Sequence, residues 1–296
     1  MDDLMTFQKI FIGLVLGFSL FAQNVSAKSS VWKVSQGEHY FYVGGTIHVL
    51  SDKDYPLPPA YNQAYQDASK LVFESDFGVM QGPAFQAKMS AATINVDGKT
   101  LEDQLSPKTY HQLSAFFSAR KLSIANFSKY TPWSVSLIMS MIEMQRLGMR
   151  PELGLDMHFY HLAVQDHKSM MGLETADQQL NFLISMGADD DPDQGIRYTL
   201  KEMENFSKEL DQMRQYWRDG DIDGLSKMDS LMIMKKDFPE SYDTLLTQRN
   251  NAWMKKIPLF IEDKQVEFVL VGLMHLAGEN GLINQLKSKG FIVEQL

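Results

Sequence analysis

Phe41-Tyr42-Val43-Gly44-Gly45-Thr46-Ile47-His48 is the stretch from which the rest of the chain is read. Three apolar residues at strand density run into a glycine pair, and a histidine stands three positions beyond Gly45. The far end repeats the device in Val266-Glu267-Phe268-Val269-Leu270-Val271-Gly272-Leu273-Met274-His275. Each stretch reads as a buried strand that ends in glycine with a histidine after it. Glycine lets another backbone, a substrate or an ion come close. In open α/β sheets, ligands gather beyond the carboxyl ends of strands. Two histidines so placed, far apart in sequence, are expected to meet in one crevice.

Working outward, Val31-Trp32-Lys33-Val34 alternates like a half-buried strand, and Gly37-Glu38 turns it back into Tyr40–Gly44 as a hairpin. Three prolines stiffen the loop at Pro56, Pro58 and Pro59 ahead of a helix over 60–68. Leu71-Val72-Phe73-Glu74 is a short buried strand tipped with an acid, and Ser169–Glu174 has the same character. From Leu101 to Gly148 the spacing is helical, with starts at Ser106-Pro107 and Thr131-Pro132. Met139, Met141 and Met144 read as core or groove packing. Gly154-Leu155-Asp156 leads a helix carrying His158, His161 and His167, and Thr175 with Gln178 forms a capping box. Asp189–Asp193 reads as a solvated acidic loop without the spacing of a calcium site. Residues 195–256 are helical with breaks near Gly220 and Pro239, before a strand at 266–272, a helix at 279–289 and a last strand at 291–293. The class is α/β with a central mainly parallel or mixed sheet. A single domain over 28–296, with a helical insertion at about 101–256, is expected to serve one core.

The chain has 296 residues, a formal charge of -9 and no basic cluster, so a phosphate-backbone binder is not expected and nucleic acid is set aside as a partner. It has no cysteine, which excludes disulfides, thiolate metal sites and a cysteine nucleophile. Lys9, the apolar run Ile10–Ala22 and the small residues of Val25-Ser26-Ala27 form a signal-peptide pattern over residues 1–27, cleaved after Ala27. The protein is therefore expected to be exported, periplasmic or secreted, with no membrane span after cleavage. An uncleaved N-terminal anchor is the alternative. The sequence leaves the oligomeric state open.

His48, Glu74 and His275 form a candidate metal set of two imidazoles and a carboxylate at strand ends. Such a set suits Zn, Mn, Co or Fe. The bland reading makes the histidines buried donors that hold loops. His158 and His161, three apart, more simply flank an amphipathic helix. Asp156 and Glu174 can orient a ligand imidazole or serve helix starts. Arg249, beside Asn250, can meet an oxyanion or form a salt bridge. No Gly-x-Ser-x-Gly elbow, phosphate loop or Rossmann fingerprint is present.

At these residues the chain resembles the TraB/GumN family, which is related to the Tiki proteins. The matching pieces are Trp32-Lys33-Val34, Gly45-Thr46-Ile47-His48-Val49, Val72-Phe73-Glu74, Gly154-Leu155-Asp156, Gly172-Leu173-Glu174-Thr175 with Gln179-Leu180, Arg249-Asn250, and Val271 through Leu282. They run in family order across nearly the whole chain after residue 27. The resemblance implies a fold like that of the erythromycin-esterase and ChaN-type proteins, built from two related halves that each bring a Gly-x-x-His. It implies a divalent-metal-dependent protease, with the family's histidines and glutamate falling on His48, Glu74 and His275. Its other branches imply alternatives: a peptide-binding or haem-iron-binding protein that turns nothing over, or a metal-independent esterase with His48 as general base. The expected partner is a peptide or small-molecule substrate.

Overall fold

The computed structural model describes residues 28–185, 191–262 and 264–296. The proposed signal peptide, residues 1–27, lies outside the described residues, as do Asp189 and Asp190 of the acidic stretch. One six-stranded sheet organises the molecule, in the order β4-β3-β5-β2-β1-β6. The strands are β1 (Val31–Gln36), β2 (His39–Thr46), β3 (Lys70–Phe73), β4 (Ser169–Gly172), β5 (Glu267–Gly272) and β6 (Ile292–Gln295). Strands β4, β3, β5 and β2 run parallel, and β1 and β6 close one side antiparallel. Strand β5 is buried along almost its whole length, as is β2 from Phe41 onward. Continuous burial means that both faces are covered, as in other parallel sheets.

The register places the chemistry. Thr46 pairs with Gly272 and Gly45 with Val271, so the two strand-end glycines stand one step apart on adjacent strands. Phe73 pairs with Leu270 on one side and Gly172 on the other, so Glu74 leaves the sheet beside both neighbours. Beyond the strands the Glu174 amide still donates to the Glu74 carbonyl at 2.9 Å. His48, His275, Glu74 and Glu174 therefore leave the same edge of four parallel strands.

The helices used below are α1 (Pro59–Asp67), α2 (Pro83–Thr93), α3 (Pro107–Ser118), α4 (Pro132–Arg146), α5 (Leu155–Gln165), α6 (Ala176–Ser185), α7 (Pro192–Asp219), α8 (Gln248–Trp253) and α9 (Leu282–Ser288). Proline occupies the first turn of α3 and α4, where its missing N–H costs nothing. The described part of the acidic stretch is a helix start rather than a loop. Asp191 caps α7 by accepting from the Gln194 amide at 3.2 Å, and Asp193 accepts from Ser106 and Arg197 at 2.8 Å each.

One core does not hold everything. The main cluster gathers the sheet, α1, α5, Trp217, Trp253 and α9. A second contains Leu101, Leu113, Phe117, Val135, Met139 and Ile196, and a third Phe85, Ala176 and Leu180. The division follows from length. Helix α7 has 28 residues, about 42 Å at 1.5 Å per residue. It buries Ile196 in the second cluster at one end and Trp217 in the main core at the other. Of the methionines on α4, Met139 is fully buried while Met141 is 53% exposed. Among the described residues no helix is long and apolar enough to cross a membrane.

Candidate functional site

His48 follows β2 by two residues, and its imidazole is fixed from behind. Its Nδ1 lies 2.8 Å from Asp156 Oδ2, and Thr46 Oγ1 donates to Asp156 Oδ1 at 2.8 Å. A carboxylate can only accept, so Nδ1 carries the proton and Nε2 faces the site. The side chain is 64% exposed while Asp156 is 5% exposed. Asp156 reaches this place because Gly154 allows α5 to begin hard against β2. A Cβ at Gly154 would collide with the His48 carbonyl oxygen, and the Leu155 amide donates to Ile47 O at 3.1 Å. The charge of Asp156, helped by its hydrogen bond and by Glu74, outweighs burial and raises His48 to a pKa of about 9.

His275 sits in the 3₁₀ turn Leu273–Leu276 that follows β5, and it is buried. Asn250 Nδ2 donates to the carbonyls of His275 and Asn280 at 3.1 and 2.9 Å. That fixes Asn250 Oδ1 toward His275 Nδ1, at 2.7 Å. The proton of His275 is therefore on Nδ1, and Nε2 offers a lone pair. Arg249 Nη1 stands 3.2 Å from this Nε2 and donates to it. Trp253 lies against the ring at 4.4 Å between centroids. Burial, with the Arg249 charge added to it, holds His275 neutral and lowers its pKa to about 3 despite Glu74.

Between the histidines stand two glutamates and one arginine. Arg249 Nη2 donates to Glu74 Oε2 at 2.5 Å, and Nη2 and Nε donate to the two oxygens of Glu174 at 2.7 and 3.2 Å. Trp253 Nε1 also donates to Glu174. Glu74 Oε1 accepts from the Gly272 amide at 2.6 Å. Burial would push Glu74 upward, yet Arg249, the two histidines and that amide bring it down to about 2. Glu174 goes the other way, raised chiefly by burial against the pull of Arg249. Arg249 follows a π turn over Asp243–Thr247, an irregularity often found at functional sites. Arg249 and Asn250 are both buried.

The pieces converge on Gly272. A Cβ built there would lie 3.1 Å from Glu74 Oε1 and 3.6 Å from both His48 Nε2 and His275 Cδ2. The space exists because residue 272 has no side chain. Gly45 faces elsewhere: its Cβ would meet Leu273 Cδ1 at 2.7 Å and Leu276 Cδ1 at 2.9 Å. The expectation that Gly45 keeps room for a ligand is corrected; it keeps room for packing, and Gly272 lines the site. His158 packs edge-on against Tyr55 and Phe159 rather than joining the other histidines.

Among the described residues, no three His, Cys, Asp or Glu side chains stand where they could hold a metal ion. In this arrangement Arg249 occupies the Nε2 of His275 and Oε2 of Glu74, and the Gly272 amide occupies Oε1. The donor set nevertheless suits a borderline divalent ion, because both histidines are oriented through Nδ1, as metal-binding imidazoles commonly are. Glu74 Oε1 and His275 Nε2 are 3.8 Å apart, whereas two ligands at about 2.1 Å on a tetrahedral ion stand roughly 3.4 Å apart.

Sequence reasoning had selected His48, Glu74, Glu174, Arg249, Asn250, Asp156 and His275, and all of them line or brace this one region. It passed over Thr46, Gly154 and Trp253. Thr46 and Gly154 lie inside the quoted motifs Gly45–Val49 and Gly154–Asp156, so the signal was there without a role attached. Trp253, four residues beyond Arg249 on the same helix face, could have been found from helical spacing.

A model of the TraB/PrgY/gumN family matches residues 30–295. The chain is 28% identical over 255 residues to the uncharacterized protein YbaP of Escherichia coli (strain K12), covering 85% of this chain and 89% of that one. It is 26% identical over 276 residues to the uncharacterized protein YbaP of Shigella flexneri, covering 87% and 97%. No solved structure matches it.

Proposed function

The chain belongs to the TraB/PrgY/gumN family, and from that premise we propose that it is an exported hydrolase, most simply a peptidase, acting at the Gly272 cradle with a divalent ion. His48, Glu74 and His275 would hold the ion through Nε2, Oε1 and Nε2. With the ion bound, the site would gain Lewis acidity and a water acidic enough to react near neutral pH. The reading rests on one observation: both imidazoles and one carboxylate oxygen gather around a position that only glycine leaves open. We also read the two strand-end Gly-x-x-His segments as counterparts in two related halves, and residues 1–27 as the export signal.

Each residue has a task that its contacts support. Asp156 and Asn250 hold the two imidazoles with Nε2 inward. Arg249 keeps Glu74 ionised and brings a cation to within reach of an anionic intermediate. Glu174 binds the Nε–Nη2 edge of the guanidinium, sharing Nη2 with Glu74, and so leaves Nη1 toward His275. The metal-independent alternative needs His48 as a general base, but Asp156 favours the protonated imidazole below about pH 9. His48 without an ion is then an acid rather than a base.

Elemental analysis of the purified protein, paired with peptide hydrolysis with and without chelator and added Zn, Mn or Co, tests the proposal. About one ion per chain, lost in His48→Ala with His275→Ala together with activity, is the expected result. Metal retained by that double variant would overturn the ligand assignment. Chelator-insensitive turnover would favour the esterase reading. A haem-type visible spectrum, or a retained peptide without product, would favour a binding protein.

A further inference from the structure

The His48 side chain is 64% exposed, so little is packed over its ring to fix the direction of Nε2. His275, by contrast, is buried with Trp253 against its ring. We propose that Tyr61 of α1, with Arg214 and Trp217 of α7, forms a positioning frame that holds His48 from behind. The frame deepens the hydrolase reading and rests on it for the reason that His48 must be held.

One end of the frame grips the end of β2. The Gly45 carbonyl stands one residue past the last β1 pair, Val31 with Gly44. It accepts from the Tyr61 hydroxyl, which also lies 3.2 Å from Ser30 O. Trp217 Nε1 donates to the same hydroxyl oxygen at 2.7 Å. The indole can only donate, so the single hydroxyl proton is left for the strand end. Burial raises Tyr61 well above its ordinary value, and that proton stays in place. The Gly45–Thr46 peptide is planar, so holding its oxygen also fixes the Thr46 Cα. From Thr46 the order passes through two bonds of 2.8 Å, Oγ1 to Asp156 Oδ1 and Asp156 Oδ2 to His48 Nδ1. The Tyr61 ring is fully buried against Phe159 and Phe268. Phenylalanine would fill that space; only the hydroxyl reaches Gly45.

The other end grips the chain beyond His48. Asp54 is 1% exposed. Arg214 Nε donates to its Oδ1 at 2.7 Å, and Arg218 donates to its backbone carbonyl. The second oxygen, Oδ2, accepts from the amide and hydroxyl of Ser51 at 2.8 Å each, three residues past His48. Arg214, Trp217 and Arg218 share one face of α7, at i, i+3 and i+4. A single helix face thus holds the chain on both sides of His48, at Gly45 and at Asp54. Buried bonds of this kind keep their geometry because breaking one strands its partner.

The test needs no turnover. Protein carrying isotope-labelled histidine, in chelator at neutral pH, should give a His48 Nδ1–H resonance shielded from water exchange by Asp156 and assigned by its absence in His48→Gln. Tyr61→Phe keeps the ring and removes the hydroxyl, and should speed exchange of that proton by about tenfold, the scale of one hydrogen bond. Arg214→Met should speed it less, and Arg214→Lys should restore part of the protection. The Arg214 side chain is 20% exposed, so its variants read the frame even if Tyr61→Phe does not fold. Val34→Ala opens the core at the far end of β2, opposite Phe41. It should lower the urea midpoint and leave the exchange unchanged.

Unchanged exchange in both Tyr61→Phe and Arg214→Met would overturn the proposal and leave Tyr61 and Trp217 as core packing with satisfied polar ends. Equal acceleration in Val34→Ala would overturn it too, since lost stability would then account for the effect. A wild type with no protected Nδ1–H would remove the Asp156 bond through which the frame acts. Zn titration and peptide hydrolysis on the same variants separate the frame from the hydrolase reading. Faster exchange in a protein that neither binds the ion nor cleaves keeps the frame and removes the hydrolase. Ion binding and cleavage with exchange unmoved in Tyr61→Phe and Arg214→Met keep the hydrolase and remove the frame.

Discussion

His48 and His275 stand at equivalent places in sequence, each three residues past a strand-end glycine, yet the fold gives them opposite surroundings. His48 is largely exposed and backed by an acid. His275 is buried, backed by a neutral amide and faced by an arginine. One is held toward the cation and the other toward the neutral base, at about 9 and about 3. Similar motifs therefore set where the nitrogens stand, while the partners set what each nitrogen can do. Two histidines placed alike behind strand-end glycines thus face the same space in different charge states.

Arg249 maintains the difference, and removing it should have the largest effect. It is 8% exposed and bridges Glu74 and Glu174, themselves 7% and 5% exposed. Arg249→Met would leave two buried carboxylates facing one another without a cation. Breaking a buried pair this way costs about 3–5 kcal/mol, measurable as a fall in the urea midpoint. His275 should also move upward in an NMR titration, because the cation opposing its protonation is gone. An Arg249→Met protein as stable as the wild type would mean that the two glutamates are not both ionised in the folded chain.

Next in size is an effect that divides the histidines by kind. His48→Gln should lower turnover by about 10²–10⁴, the usual worth of a proton-transfer or ligand residue. Its stability should fall only modestly, because glutamine can still donate to Asp156 and solvent screens the lost charge at a largely exposed ring. His275→Leu should also lower turnover, but it strands Asn250 Oδ1 and the Arg249 N–H and so should cost about 1–3 kcal/mol of stability. If both variants destabilise alike, exposure and burial are not what separate the two residues.

How much of this was readable beforehand depends on what kind of contact made it. The strands, the register-setting glycines and the polar residues at strand ends came from local pattern, since period and turn chemistry are written within a few residues. Thr46 and Gly154 were visible but had no assignable role, because their partners lie about a hundred residues away in sequence. The direction of Gly45 was misjudged for the same reason: alternation along a strand tells which side a residue faces, not what packs there. The second and third clusters escaped because helical periodicity marks an apolar face without naming the surface that covers it.

Acidity should separate the histidines more gently. His275 has a folded value below its unfolded one of about 6.5, so its contribution is complete above that pH and fades as pH falls toward about 3. Glu74 acts in the same direction, from its ordinary 4.5 down to about 2. His48 has a raised value, so its contribution is complete below about 6.5 and is lost as pH rises through about 9. Solvent at its exposed ring should make that alkaline arm the shallower one. Urea midpoints against pH should show both arms. His275→Leu should flatten the segment between pH 6.5 and 4.5, and Asp156→Asn the alkaline one. An acid arm surviving intact in His275→Leu would remove His275 as its source.

The smallest change tests the two glycines. Gly272 has φ of -50°, a conformation any residue can adopt, so alanine there meets no backbone strain. Its methyl would instead stand 3.1 Å from Glu74 Oε1, in the space the histidines share. Stability should change by less than about 1 kcal/mol, and loss of unfolded-chain entropy could offset part of any cost. Ion affinity and turnover should fall. Gly45→Ala should do the reverse, because its methyl would press on Leu273 and Leu276 in the core. Overpacking of that kind costs about 1–3 kcal/mol, with ion affinity kept in the folded fraction. Calorimetric melting and ion titration on the two variants read the two effects separately. Should Gly272→Ala bind ions as the wild type does, the open position beside Glu74 is spare room, and the two histidines converge without a common ligand.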